Sequence, residues 1–143
     1  MNDIRPADAA ATLLRVSLGV LFLAHAGLKV FVFTVPGTVQ FFQSIGYPGY
    51  FAHLVILAEA VGGLALIAGL WSRWVSLALV PVLIGATVQH LGNGWVFTAT
   101  GGGWEFPAFW TVALLVQSLL GDGAWSMRSI VTGNNPRRLA LQG

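Results

Sequence analysis

The chain has no cysteine. That absence removes disulfide exchange, thiolate nucleophiles, iron–sulfur ligation and covalent c-type haem attachment together. Any redox work must then use a bound cofactor or one carried by a partner. Charge is nearly as scarce. Charged residues make up 8% of the 143 residues, against 56% hydrophobic, where a soluble domain carries about a quarter. Between Asp8 and Asp122 the only charged side chains are Arg15, Lys29, Glu59, Arg73 and Glu105, too few to cover a surface facing water. No His or carboxylate cluster has zinc spacing, and no glycine-rich run follows a strand. Metal hydrolase and nucleotide-fold readings therefore fail, and no metal is expected. The net charge of +2 is small, and the basic residues gather near the ends, at Arg5, Arg128, Arg137 and Arg138. Positive-inside bias explains such placement better than nucleic acid, which is not an expected partner.

What is present is apolar sequence in blocks. Crossing about 30 Å of hydrocarbon takes roughly 20 residues. Four blocks approach that length, about 11–33, 51–71, 74–91 and 104–121, with 122–143 as a cytoplasmic tail. The expectation is all-α: an integral membrane four-helix bundle forming a single domain over residues 1–143. Arg5 precedes the first block, and Ala24-His25-Ala26 has the look of a cleavage site. Asp3 and Asp8 dilute a positive leader, however, and the apolar run continues to Phe33. The first span is therefore expected to stay uncleaved. Thr38 to Ile45 is amphipathic and too short to cross, so it should lie at the interface or fold back between helices.

Lys and Arg in the short connections set the orientation. The N-tail, the turn between the second and third spans, and the C-tail hold Arg5, Arg73, Arg128, Arg137 and Arg138; the other two loops hold none. Both termini are expected in the cytoplasm, in a multi-pass protein of the plasma (inner) membrane. Trp71, Trp74 and Trp125 would mark the inner boundary, and Tyr47, Tyr50, Trp95 and Trp104 the outer one.

The deep charges carry the chemistry. At 1.5 Å per residue, His25 and Glu59 each lie roughly 12 Å below the outer ends of their antiparallel spans. Lys29 is one turn from His25, so Arg15, Phe22, His25 and Lys29 make one stripe. A charge at a helix centre in hydrocarbon costs at least about 2.5 kcal/mol. Glu59 must be protonated, paired or wet, and His25 and Lys29 are the partners at its depth. His90 and Glu105 would extend the group into a polar pocket of His25, Lys29, Glu59, His90 and Glu105 in the outer half. Such a pocket suits a quinone head group, a proton path or a small polar substrate. The competing reading is an internal Glu–His/Lys clamp that locks two helices. Arg15 and Arg73 belong to structure and orientation. Ala58, Gly62, Gly63, Ala65 and Gly69 form a small-residue face for close helix packing. Bis-histidine haem ligation by His25 and His90 is disfavoured, because their depths differ by roughly 9 Å.

These residues in their order resemble the DoxX family of small four-helix membrane proteins. The stretches that carry the likeness are Arg15-Val16-Ser17-Leu18-Gly19, Phe22-Leu23-Ala24-His25-Ala26-Gly27-Leu28-Lys29 and Gly46-Tyr47-Pro48. They continue with Glu59-Ala60-Val61-Gly62-Gly63, Gly69-Leu70-Trp71-Ser72-Arg73, His90 and Gly102-Gly103-Trp104-Glu105-Phe106-Pro107. The resemblance implies a membrane subunit related to a terminal oxidase and thiosulfate:quinone oxidoreductase system. Some members associate with superoxide dismutase and a sulfurtransferase, while broader relatives act as membrane chaperones or cargo receptors. Read this way, the chain is a quinone-interacting or anchoring subunit of an oxidoreductase complex, with a quinone as its non-covalent cofactor. Its partners would be the bilayer, other redox-complex subunits and further copies of itself. Two alternatives stay open: a non-enzymatic scaffold or assembly factor, and a small-solute or proton carrier. The resemblance assigns no catalytic residue.

Overall fold

The computed structural model describes residues 5–131, which are all-helical, with no strand among them. The expectations for Arg137, Arg138 and the rest of the tail beyond residue 131 lie outside the described residues, as does Asp3. Helix α1 runs Pro6–Gly27 and passes without a break into a π-helical turn, Leu28–Val32. Helix α2 is Val35–Ser44, α3 is Tyr50–Ala68 and α4 is Ser72–His90. After a 3₁₀ turn at Leu91–Asn93 and a glycine-rich loop come α5, Glu105–Leu120, and the short α6, Met127–Val131. Three segments are long and apolar enough to cross a membrane: Pro6–Val32, Tyr50–Ala68 and Ser72–Asn93. Helix α5 is apolar but has only 16 residues.

The helix ends follow local chemistry. Pro6 opens α1, where its missing N–H costs nothing. The second span was expected to reach Trp71, with Ser72-Arg73 as the turn. The helix instead stops at Ala68, because Gly69 takes a left-handed φ of 71°. The Gly69 N–H donates to Leu66 O and the Leu70 N–H to Ala65 O, the two bonds of a Schellman stop. Ser72 is then already the first residue of α4. Pro36 does not prevent helix in the segment after the first span. It sits in the first turn of α2, whose N-cap is Thr34.

Leu18 and Phe22 from α1, Leu66 from α3, Leu79 and Leu83 from α4, and Trp110 and Leu114 from α5 form one buried core. Outside it the surface is apolar: Leu13, Phe31, Phe109 and Leu119 are all more than two-thirds exposed. Apolar surface on this scale is stable only against lipid or protein.

Helices α1 and α3 approach each other closely. A Cβ placed on Gly19 would meet Gly63 O at 2.7 Å, and one on Gly63 would meet Gly19 O at 2.9 Å. Neighbouring Gly62 faces the other way, against Leu79 of α4. The small face of α3 thus serves two partners, and Gly19 is the counterpart that sequence reading did not single out. Since neither backbone can yield, Gly63→Val should cost about 1–3 kcal/mol or more. The loss is read as a lower unfolding midpoint in detergent, and an unchanged midpoint would contradict the close approach.

Candidate functional site

Glu59 is the tenth residue of α3, so it sits mid-helix, and it is only 4% exposed. Lys29 meets it from the first helix. Its Nζ lies 2.9 Å from both Oε1 and Oε2 of Glu59. One ammonium thus bridges both carboxylate oxygens, and their mutual attraction offsets the cost of placing two charges in an apolar layer.

Lys29, and not His25, reaches Glu59. Four residues along an ideal α-helix return a side chain to nearly the same face. Lys29 lies in the π turn that begins immediately after Gly27. Its side chain faces α3, while the His25 ring packs against α5. Its centroid is 4.9 Å from Trp110, edge-on, and 6.4 Å from Phe106, stacked. No ion pair joins His25 to Glu59 among the described residues. The π turn also alters the backbone bonding, and Thr38 of α2 lies against it. The Thr38 hydroxyl is 3.0 Å from Lys29 O and 2.9 Å from Thr34 O.

His90 and Glu105 stand apart from this pair. The His90 Nδ1 lies 2.7 Å from Ala86 O of its own helix. Glu105 opens α5 and accepts the Phe97 N–H through Oε1 at 2.8 Å, latching the loop before the helix. The structure therefore does not join all five residues into one network. It gathers Lys29, Glu59 and His25 at one level, with Glu105 at the start of α5 holding the preceding loop. Among the described residues no three His, Asp or Glu side chains come together to hold a metal ion.

Trp110 is the residue that sequence reading missed. It is 4% exposed, its ring centroid is 4.6 Å from Phe22, and its Nε1–H has no hydrogen-bond partner among the described residues. A buried indole N–H normally finds a partner. The available signal was its position: Trp110 falls inside a span, away from the interfacial levels where tryptophan collects. Between α5 and the loop before it, Trp95, Phe97, Glu105, Phe106, Ala108, Phe109 and Val112 line an open groove of about 490 Å³. Phe106 belongs to both places, since it lines the groove and also contacts His25 and Trp110.

The orientation residues differ sharply from each other. Arg73 is exposed. Arg15 is 1% exposed, and its Nη1 donates to Leu66 O at 2.7 Å and Ile67 O at 2.6 Å. Those are last-turn carbonyls of α3, at the negative end of the helix dipole. Its Nη2 lies 3.4 Å from Ala124 O. Gly69 has to be glycine here on a second count, because a Cβ would sit 2.8 Å from Arg15 Nη1.

Comparison with known proteins adds the lineage. The chain is 41% identical over 81 residues to a Bacillus subtilis (strain 168) protein named "Putative oxidoreductase CatD", covering 57% of this chain and 59% of that one. It is 31% identical over 83 residues to "Uncharacterized protein YdgD" of the same organism, covering 55% and 71%. It is 33% identical over 70 residues to "Inner membrane protein YqjF" of Escherichia coli (strain K12), covering 49% and 52%. The match thus spans less than two thirds of the first and third relatives. No solved structure matches the chain. The DoxX family model matches residues 10–92, which hold Arg15, the π turn, Lys29, Glu59 and His90. This is a membrane protein of the DoxX family.

Proposed function

We propose that this chain is the quinone-facing, anchoring subunit of a membrane oxidoreductase complex. In this reading α5 crosses as a fourth span, completing a four-helix bundle that forms a single domain over residues 1–143. Both termini are cytoplasmic, and the protein crosses the plasma membrane several times. The observation that carries the reading is the buried Trp110 Nε1–H beside His25, next to the Lys29–Glu59 pair. A quinone ring is flat and apolar with two acceptor oxygens. It suits aromatic walls that present a donor, and the charged pair supplies groups able to handle protons. The groove beside Phe106 offers a lateral approach from the bilayer. Electrons come from a partner subunit, and the name of the Bacillus relative "Putative oxidoreductase CatD" agrees with a redox setting.

The test is quinone binding to purified protein in lipid nanodiscs. Trp110→Phe keeps the ring and removes the donor. Losing one hydrogen bond of about 0.5–1.5 kcal/mol should weaken binding roughly threefold to tenfold. Glu59→Gln should weaken it further. Unchanged affinity in both variants would remove the site.

A scaffold or assembly role is the second reading, favoured by the way Lys29 and Glu59 satisfy each other within the chain. It predicts that Glu59→Gln lowers recovery of partner subunits without any ligand effect. A solute or proton carrier is the third, and flux in proteoliposomes decides it.

A further inference from the structure

We propose that the end of the molecule opposite the Lys29–Glu59 pair contains an internal water site, built by Arg15, Ser72, Ser76 and Gln117. These four come from α1, α4 and α5, and each is 0–1% exposed. Arg15 Nε, Ser72 Oγ, Ser76 Oγ and Gln117 Oε1 have no hydrogen-bond partner among the described residues. Buried polar atoms in native proteins are partnered almost without exception, and internal water is the usual partner where protein groups fall short.

A common strap ties these residues to one end of the bundle. The segment from Gly121 to Ala124 folds back across this end. Gln117 Nε2 donates to Gly121 O at 2.7 Å, and Asp122 Oδ1 accepts the Ser72 N–H at 2.7 Å. Ala124 O accepts from Thr12 Oγ1 at 2.6 Å and from Arg15 Nη2 at 3.4 Å. Three of the four residues are thus tied to one four-residue segment, and Ser76 lies one turn above Ser72 on the same face of α4. The opposite wall is dry. Leu18, Leu79 and Leu114 stand three residues beyond Arg15, Ser76 and Gln117 on the same helices, each at most 2% exposed. They close the site away from the Lys29–Glu59 level.

The donor set selects the ligand. Arg15 Nε–H is a donor and Gln117 Oε1 is an acceptor, because the Gln117 amide nitrogen is committed to a carbonyl. The serine hydroxyls do either. An anion would face the Gln117 oxygen unfavourably, and a cation would face the guanidinium. Water accepts from the first and donates to the second.

The test uses the full chain in lipid. A lipid-phase crystal structure should show solvent density within hydrogen-bond distance of Arg15 Nε and Gln117 Oε1. Water-edited solid-state NMR on the same protein should transfer polarisation to the Gln117 side-chain amide as fast as at exposed sites. Gln117→Leu should remove the density and leave the Arg15 bonds to Leu66 and Ile67 in place. Because the wild-type measurements stand alone, misfolding of that variant does not shelter the proposal. Dry density with the four side chains bonded to one another would overturn it, as would a bromide anomalous peak at Arg15, which would mark an anion site.

Discussion

Lys29→Met should destabilise the protein by about 3–5 kcal/mol, and adding Glu59→Leu should return most of that loss. The single change strands a carboxylate that is 4% exposed in the middle of α3. Removing one partner of a buried ion pair costs about that much, because the remaining charge keeps its desolvation penalty. The double change replaces two charges with apolar groups of similar length, and such replacements are often neutral or stabilising. Reversible unfolding in bicelles, run as a double-mutant cycle, reads the coupling. Additive losses would mean that the 2.9 Å contacts contribute little. The cycle also separates stability from function. Under the proposed quinone role the double variant folds well and binds poorly, whereas under the scaffold role it folds well and assembles poorly.

Arg15→Met should cost about 1–3 kcal/mol or more, because two jobs end together. Ile67 O loses its donor at the buried end of α3, which costs about 1–3 kcal/mol, while Leu66 O keeps only the Gly69 N–H. The strap also loses one of its two side-chain bonds to Ala124 O, so limited proteolysis between residues 121 and 126 should accelerate. Arg15→Lys should recover only part of the loss, since a single ammonium lacks the planar fork that holds the α3 carbonyls through Nη1 and Ala124 O through Nη2. Full recovery by lysine would show that charge alone, and not the fork geometry, holds this end.

The membrane setting was legible because it depends on composition. A chain with 8% charged residues cannot solvate a globular surface, whatever its fold. Three of the apolar blocks emerge as helices long enough to cross, while the fourth emerges as the 16-residue α5. Boundaries were harder. Gly69 stops α3 through its positive φ, yet Trp71 takes a positive φ too, with nothing in its side chain to announce it.

Helix rise put Lys29 and His25 near the depth of Glu59, but rise cannot say which way a side chain turns. In the structure Lys29, within the π turn at Leu28–Val32, meets Glu59 of α3, and His25 packs against Trp110. Gly19 gained meaning only when Gly63 was placed against it, because a close approach is a property of two helices. Arg15 looked like an orientation charge, and packing made it the cap of another helix. By itself the sequence determined the solvent, the helices and which polar groups needed partners, since those follow from local composition and one-dimensional spacing. The tertiary structure alone decided which partner each group found, because that depends on helix rotation and on contacts between residues 30 to more than 100 positions apart.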